Sequence, residues 1–131
     1  MKDKQSILLI DSDREFCVAI KRMFQEHGYM VSTVHDGINA LCLLEEEEFD
    51  LIISDLVIPK LDGIELMEEI NRRKIDVPVI FLTADGEIQT YMDLMNMGAF
   101  DYLNKPAKES EILRVVKNAF EKAGMSCFSL R

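Results

Sequence analysis

A doubly wound α/β domain, with parallel strands in one sheet and helices on both of its faces, is the fold this sequence predicts. Three observations carry that prediction. Short apolar runs alternate along the chain with segments of helical period. The runs are too continuously apolar for strands with one solvated face, and helical crossovers between parallel strands supply the second cover. The length of 131 residues, with 48% hydrophobic and 30% charged residues, suits one soluble domain over residues 1–131.

The elements follow in order. Ile7 to Ile10 form the first strand. Phe16, Ala19, Ile20, Met23 and Phe24 fall at i, i+3, i+4, i+7 and i+8, a helix stopped by Gly28. Met30 to Val34 is a short β-branched strand, and Asp36-Gly37 opens a second helix with Ala40, Leu41, Leu43 and Leu44 on its apolar face. Its end, Glu45 to Glu48, reads as a solvated acidic turn. Leu51 to Ile53 is the third strand. A turn-rich stretch then leads to a helix capped by Asp62, with Ile64, Met67 and Ile70 as the expected buried stripe. Pro78 to Leu82 is the fourth strand, and Glu87 to Met97 a helix ended by Gly98, with Met92, Met95 and Met97 expected to pack it. Asp101 to Asn104 is the fifth strand. The last helix is expected from Lys108 to Ala123, with Ile112, Leu113, Val116, Ala119 and Phe120 inward and Gly124 at its end. The core therefore spans about residues 5–123, and 124–131 reads as a tail or linker.

Four of the strands stop at residues suited to phosphoryl chemistry: Asp11-Ser12-Asp13, Ser54-Asp55, Thr83 and Asn104-Lys105. Parallel strands bring their carboxyl ends to one edge, where open α/β sheets bind ligands. Residues scattered over most of the chain thus share one pocket.

Composition narrows the function. A net charge of −9 excludes a broad electrostatic hold on nucleic acid. No apolar run approaches the roughly 20 residues of a membrane span, and Met1 to Ser6 lacks the apolar region of a signal peptide, so a cytoplasmic location is expected. Cys17, Cys42 and Cys127 form no Cys-x-x-Cys pair and read as free thiols, the first two as packing residues. His27 and His35 read as surface residues.

Asp11, the series Asp55-x-x-x-Pro59-x-x-Asp62-Gly63, Thr83-Ala84 and Lys105-Pro106, in order at strand ends, make the chain resemble the receiver domain of bacterial two-component response regulators. The resemblance covers about residues 5–123 and implies a flavodoxin-like sheet of order 2-1-3-4-5. It implies Asp55 as phosphoacceptor from a histidine kinase or phosphotransfer protein, with Lys105 and Thr83 contacting the phosphoryl group. It also implies Mg²⁺ or Mn²⁺ on Asp11, Asp55 and the backbone carbonyl of Val57, a cis Lys105-Pro106 bond, and a switch pair Thr83 and Tyr102. The output partner or domain would meet the fourth helix, fifth strand and fifth helix, and phosphorylation could drive homodimer formation. Such a domain catalyses only its own phosphorylation and dephosphorylation and is not otherwise an enzyme. One departure stands out: Ser12 occupies the place of the family's second metal-binding acid. A neutral hydroxyl is a weaker ligand, which weakens metal binding unless Asp13 or a water on Asp11 compensates.

Two other functions fit parts of the pattern. A pseudo-receiver would bind partners without phosphate, and Ser12 is its support. A haloacid-dehalogenase-like phosphatase would use Asp11 of Asp11-Ser12-Asp13 as nucleophile, with Thr83 and Lys105 as later motifs. Against the phosphatase, no acidic pair follows Lys105 at a strand end, Arg14-Glu15 replaces the usual small residues, and Asp55 has no task.

Overall fold

The computed structural model describes residues 4–129, with side chains described from 4 to 122. The elements are β1 (Ser6–Ile10), α1 (Arg14–Glu26), β2 (Met30–Val34), α2 (Gly37–Glu46), β3 (Leu51–Ser54), α3 (Gly63–Arg72), β4 (Val79–Thr83), α4 (Ile88–Asn96), β5 (Asp101–Asn104) and α5 (Glu109–Ser129). All the pairings are parallel, and the strand order is β2-β1-β3-β4-β5, as the sequence predicts.

Side chains alternate across each strand and so divide the core in two. Ile7 and Leu9 of β1, with Ile53 and Leu82, pack against Phe24 of α1 and Ile112, Val115 and Val116 of α5. Leu8 and Ile10, with Ile52 and Phe81, pack against Leu41 of α2, Leu66 and Ile70 of α3 and Leu94 of α4. Both faces are covered, which explains strands without polar alternation.

Helix starts come from acidic caps. Asp13, Asp36 and Asp62 each accept a backbone N–H in the first turn of α1, α2 and α3, and Asp62 forms a capping box with Glu65. Gly28 after α1 and Gly98 after α4 have φ of 89° and 100°, a conformation in which a Cβ is strained.

Several expectations need correction. The buried stripe of α3 is Leu66, Met67 and Ile70, while Ile64 is only half-buried at its margin. On α5, Leu113 and Phe120 face the core as expected but are only partly buried against it, and Val115 is a further buried residue. Met92 is 49% exposed on the outer side of α4, where Leu94 is the buried residue, whereas Met95 and Met97 pack partly buried against the core as expected. Cys42 lies on the outer face of α2 and is exposed, whereas Cys17 is buried as expected. Pro78 precedes β4, although its carbonyl accepts the N–H of Ile52. Helix α5 runs through Gly124 to Ser129, so most of the expected tail is helical. One interior glycine costs a helix only about 1 kcal/mol and no proline follows to break it. Residues 130 and 131 lie outside the described residues, as does the side chain of Cys127.

Strand register sets the site. Ile10 pairs with Ser54 and Thr83 with Asn104, so Asp11 and Asp55 leave their strands at one level and Lys105 leaves β5 beside Thr83. Backbone bonds continue past the strands: Asp11 N–H to the Val34 carbonyl (3.1 Å), Asp55 N–H to Ile10 (2.9 Å) and Lys105 N–H to Thr83 (2.8 Å).

Candidate functional site

Asp11, the first residue past β1, is 2% exposed and engaged through both carboxylate oxygens. Oδ1 accepts the Asp13 N–H at 2.9 Å and Oδ2 accepts from Lys105 Nζ at 2.7 Å. Asp55, past β3, is held differently. Its Oδ1 accepts the N–H groups of Leu56 (2.6 Å) and Val57 (3.3 Å), which turns Oδ2 toward Lys105 Nζ at 3.3 Å. The Asp55 side chain is 14% exposed. Of the two carboxylates, Asp55 is the one a donor can approach, and this counts against Asp11 as a nucleophile.

Lys105 ties the strand ends together, and its ammonium also lies 4.1 Å from the centre of the Phe16 ring. Burial opposes its charge, but hydrogen bonding to Asp11 and the charges of Asp11 and Asp55 outweigh burial and raise its pKa above the ordinary lysine value. The Lys105-Pro106 bond is cis, as the resemblance implies.

Thr83 is buried at the end of β4, and its Oγ1 accepts the N–H of Asp85 at 3.3 Å. Ala84 next to it is exposed and leaves the mouth of the pocket open. Tyr102 is half-buried, packs edge-on to Tyr91 with centroids 5.8 Å apart, and donates its hydroxyl to the Asp85 carbonyl. Burial first, then the charges of Asp85, Asp55 and Glu87, push the phenol pKa up, so the hydroxyl keeps its proton.

For a divalent cation, the donors are hard oxygens: the Asp11 and Asp55 carboxylates, the Val57 carbonyl and the Ser12 hydroxyl. These suit Mg²⁺, which keeps several waters. The Val57 side chain is 70% exposed, so its identity places no demand on the site. Ser12 is exposed beside Asp11, and the exposed Asp13 is the cap of α1, its Oδ1 accepting the Phe16 N–H at 3.1 Å. Among the described residues no three His, Cys, Asp or Glu side chains gather into a metal-binding group.

Three neighbours of the site went unread in the sequence. His35, just past the end of β2, is half-buried, not a plain surface residue, with Nδ1 2.9 Å from the Asp11 carbonyl. Cys17 Sγ donates to the same carbonyl at 3.4 Å, and burial first, then Asp11 and Asp13, push its thiol up to about 11. In the sequence Phe16 reads only as a member of an apolar stripe. The spacing from the Asp13 cap could have flagged it, since the third residue of α1 lies over the strand ends. His27, at the far end of α1, is exposed as expected.

Comparison with known proteins agrees with this geometry. Residues 7–117 match the family model of the response regulator receiver domain. The response regulator MprA of Mycobacterium avium is 33% identical over 107 residues, 82% of this chain and 47% of MprA. The chain spans about half the length of the curated relatives it matches, and 61% of ycf29 of Porphyra purpurea, to which it is 35% identical. Among solved structures, the receiver domain of Francisella response regulator 1452 superposes with a TM-score of 0.87 at 30% identity, covering 92% of this chain and 99% of that one. The receiver domain of sensor histidine kinase PA1611 from Pseudomonas aeruginosa PAO1, whose active-site cleft holds a coordinated magnesium ion, superposes at 0.80 with 33% identity, covering 88% of this chain and 97% of that one.

Proposed function

The chain belongs to the response regulator receiver domain family, and from that premise we propose that it takes a phosphoryl group from the phosphohistidine of a histidine kinase or phosphotransfer protein onto Asp55. The observation that carries this is the Asp55 carboxylate, oriented by two backbone N–H groups and facing the Lys105 ammonium at 3.3 Å. An Asp55 oxygen attacks phosphorus, the P–N bond to the donor imidazole breaks, and an acyl phosphate forms. Two anions repel, so the approach requires fixed positive charge.

Lys105 supplies part of that charge and moves from the carboxylates to the phosphoryl oxygens. Thr83 gives up its bond with the Asp85 N–H and donates its hydroxyl to the phosphoryl group. Asp11, Asp55, the Val57 carbonyl and Ser12 would hold Mg²⁺ or Mn²⁺. When bound, the cation offsets charge on the donor phosphate and on the transition state. Ser12 in place of an acid weakens that hold without abolishing it.

The switch follows from Tyr102. Movement of Thr83 alters the Asp85 segment whose carbonyl Tyr102 holds, and biases an existing equilibrium between two conformations. The output partner or domain reads the face of α4, β5 and α5, where Ile88 (76%), Tyr91 (43%) and Met92 (49%) are exposed apolar side chains. A phosphorylation-dependent homodimer would use the same face. The domain acts in the cytoplasm, does not touch nucleic acid itself, and catalyses only its own phosphorylation and dephosphorylation. Among the described residues no helix is long and apolar enough to cross a membrane.

Acetyl phosphate with Mg²⁺, followed by electrophoresis that retards phosphorylated protein, tests the assignment. Wild type shifts and Asp55→Asn does not. A shift that survives Asp55→Asn overturns the site, and an unshifted wild type favours a phosphate-independent module.

A further inference from the structure

Lys105 is held from two sides. Asp11 and Asp55 take its ammonium at 2.7 and 3.3 Å, and the ring of Phe16 lies 4.1 Å away. A cation over an aromatic face is attracted by the ring quadrupole, more so where water is partly excluded. Phe16 also lines, with Leu82, Pro106, Ala107 and Ile112, the apolar hollow beneath the Lys105 stem.

We infer that Phe16 is a positioning residue for Lys105, keeping its ammonium over the strand ends when the Asp55 carboxylate that now shares it is taken by a phosphoryl group. The inference rests on Asp55 being the phosphoacceptor. As Asp55 becomes an acyl phosphate, Lys105 loses its contact to a free carboxylate and must reach a new oxygen. A flexible four-carbon chain released from one partner has many wrong places to go. The ring is neutral and stays where it is, so it retains the cation through the exchange.

The local sequence is arranged for this. Asp13 caps α1 by accepting the Phe16 N–H at 3.1 Å, which fixes the turn that carries the ring. The acid displaced one position from the usual pair thus serves the lysine through Phe16. The ring is only half-buried, so its place against the core does not by itself require an aromatic residue.

The test separates the ring's electrostatics from its bulk. Phe16→Leu keeps apolar volume and loses the quadrupole, while 4-fluoro-, 3,5-difluoro- and 3,4,5-trifluorophenylalanine at position 16 keep the shape and weaken the quadrupole stepwise. Acetyl phosphate labelling with Mg²⁺ and equilibrium binding of beryllofluoride, a phosphoryl mimic, are the two readouts. The expected result is roughly a five-fold loss in labelling rate and mimic affinity for Phe16→Leu, the size of a partly desolvated cation–π contact, and a graded loss along the fluorinated series. Equal rates for Phe16→Leu and wild type overturn the inference. So does a loss in Phe16→Leu with no gradation among the fluorinated proteins, since that marks packing alone. Wild type that takes no label, or label that survives Asp55→Asn, would instead sink the phosphoacceptor assignment.

Discussion

Lys105 Nζ lies 2.7 Å from Asp11 Oδ2, an ion pair between residues 94 positions apart in which the acid is 2% exposed. Lys105→Met removes the cation and leaves a buried carboxylate without its counter-charge. Breaking such a pair from one side costs about 3 kcal/mol. Urea denaturation at pH 7 should show that loss, and a midpoint equal to wild type would mean that water compensates Asp11 fully.

Alkaline stability should fall in stages, because the Cys17 thiol, the Tyr102 phenol and the Lys105 ammonium all have folded pKa values above their unfolded ones. The Cys17 thiol ionises in the unfolded chain from about 8.5 upward, but in the folded protein only at about 11. Its contribution is complete below the unfolded value and fades as pH rises through the folded one. Lys105, also raised, follows the same sign and loses its contribution above about 10.4. Urea midpoints measured from pH 8 to 12 should decline throughout; Cys17→Ala should flatten the lower stage, and Lys105→Met should lessen the upper one, which Lys105 shares with Tyr102.

Thiol chemistry gives an independent check. Cys42 is exposed and Cys17 buried with a raised pKa. In a Cys127→Ser background, iodoacetamide at pH 8 should alkylate Cys42 at least about ten-fold faster than Cys17, since thiolate and access are both required. Peptide mass mapping over time reads the ratio, and equal rates would contradict the burial of Cys17.

Ser12→Asp restores a second acid beside Asp11. Added ligand charge strengthens a hard-oxygen site, and Mg²⁺ should bind on the order of ten-fold tighter. Amide chemical shifts followed during a Mg²⁺ titration would measure it. An unchanged affinity would mean that Ser12 does not face the cation.

Gly63 marks the point where the loop after β3 has no spare room. A Cβ there would lie 2.8 Å from the Leu56 Cα, and the Gly63 N–H donates to the Leu56 carbonyl at 2.8 Å. Gly63→Ala should destabilise by roughly 2 kcal/mol, the range of overpacking. Because Leu56 directly precedes Val57, Mg²⁺ affinity should drop with it. Thermal denaturation and the same Mg²⁺ titration read both effects.

The sheet was legible in the sequence because each strand is a short apolar run closed by a polar residue, and the helices carry a 3.6-residue period. That pattern alone puts Asp11, Asp55, Thr83 and Lys105 at one edge of the sheet. What stayed hidden lies in side-chain direction. Val115 and Leu66 look no more apolar than Leu113 and Ile64, and only the angle at which each helix meets the sheet decides which is buried. His35 and Phe16 have ordinary alternatives as loop and core residues, so their contacts with Asp11 and Lys105 emerge only when β2 and α1 are seated beside the strand ends. Asp13 could have been read as a helix cap, but its nearness to Asp11 suggested a metal ligand instead.

The order β2-β1-β3-β4-β5 also bears on the time at which the pocket comes into being. Asp11 and Asp55 stand at the ends of β1 and β3, which pair directly, whereas the ammonium that joins them comes from the end of β5, on the far side of β4. Until β5 has paired with β4 the two carboxylates lack that counter-charge, so on the proposed reading the pocket is completed by the strand that comes last in the chain.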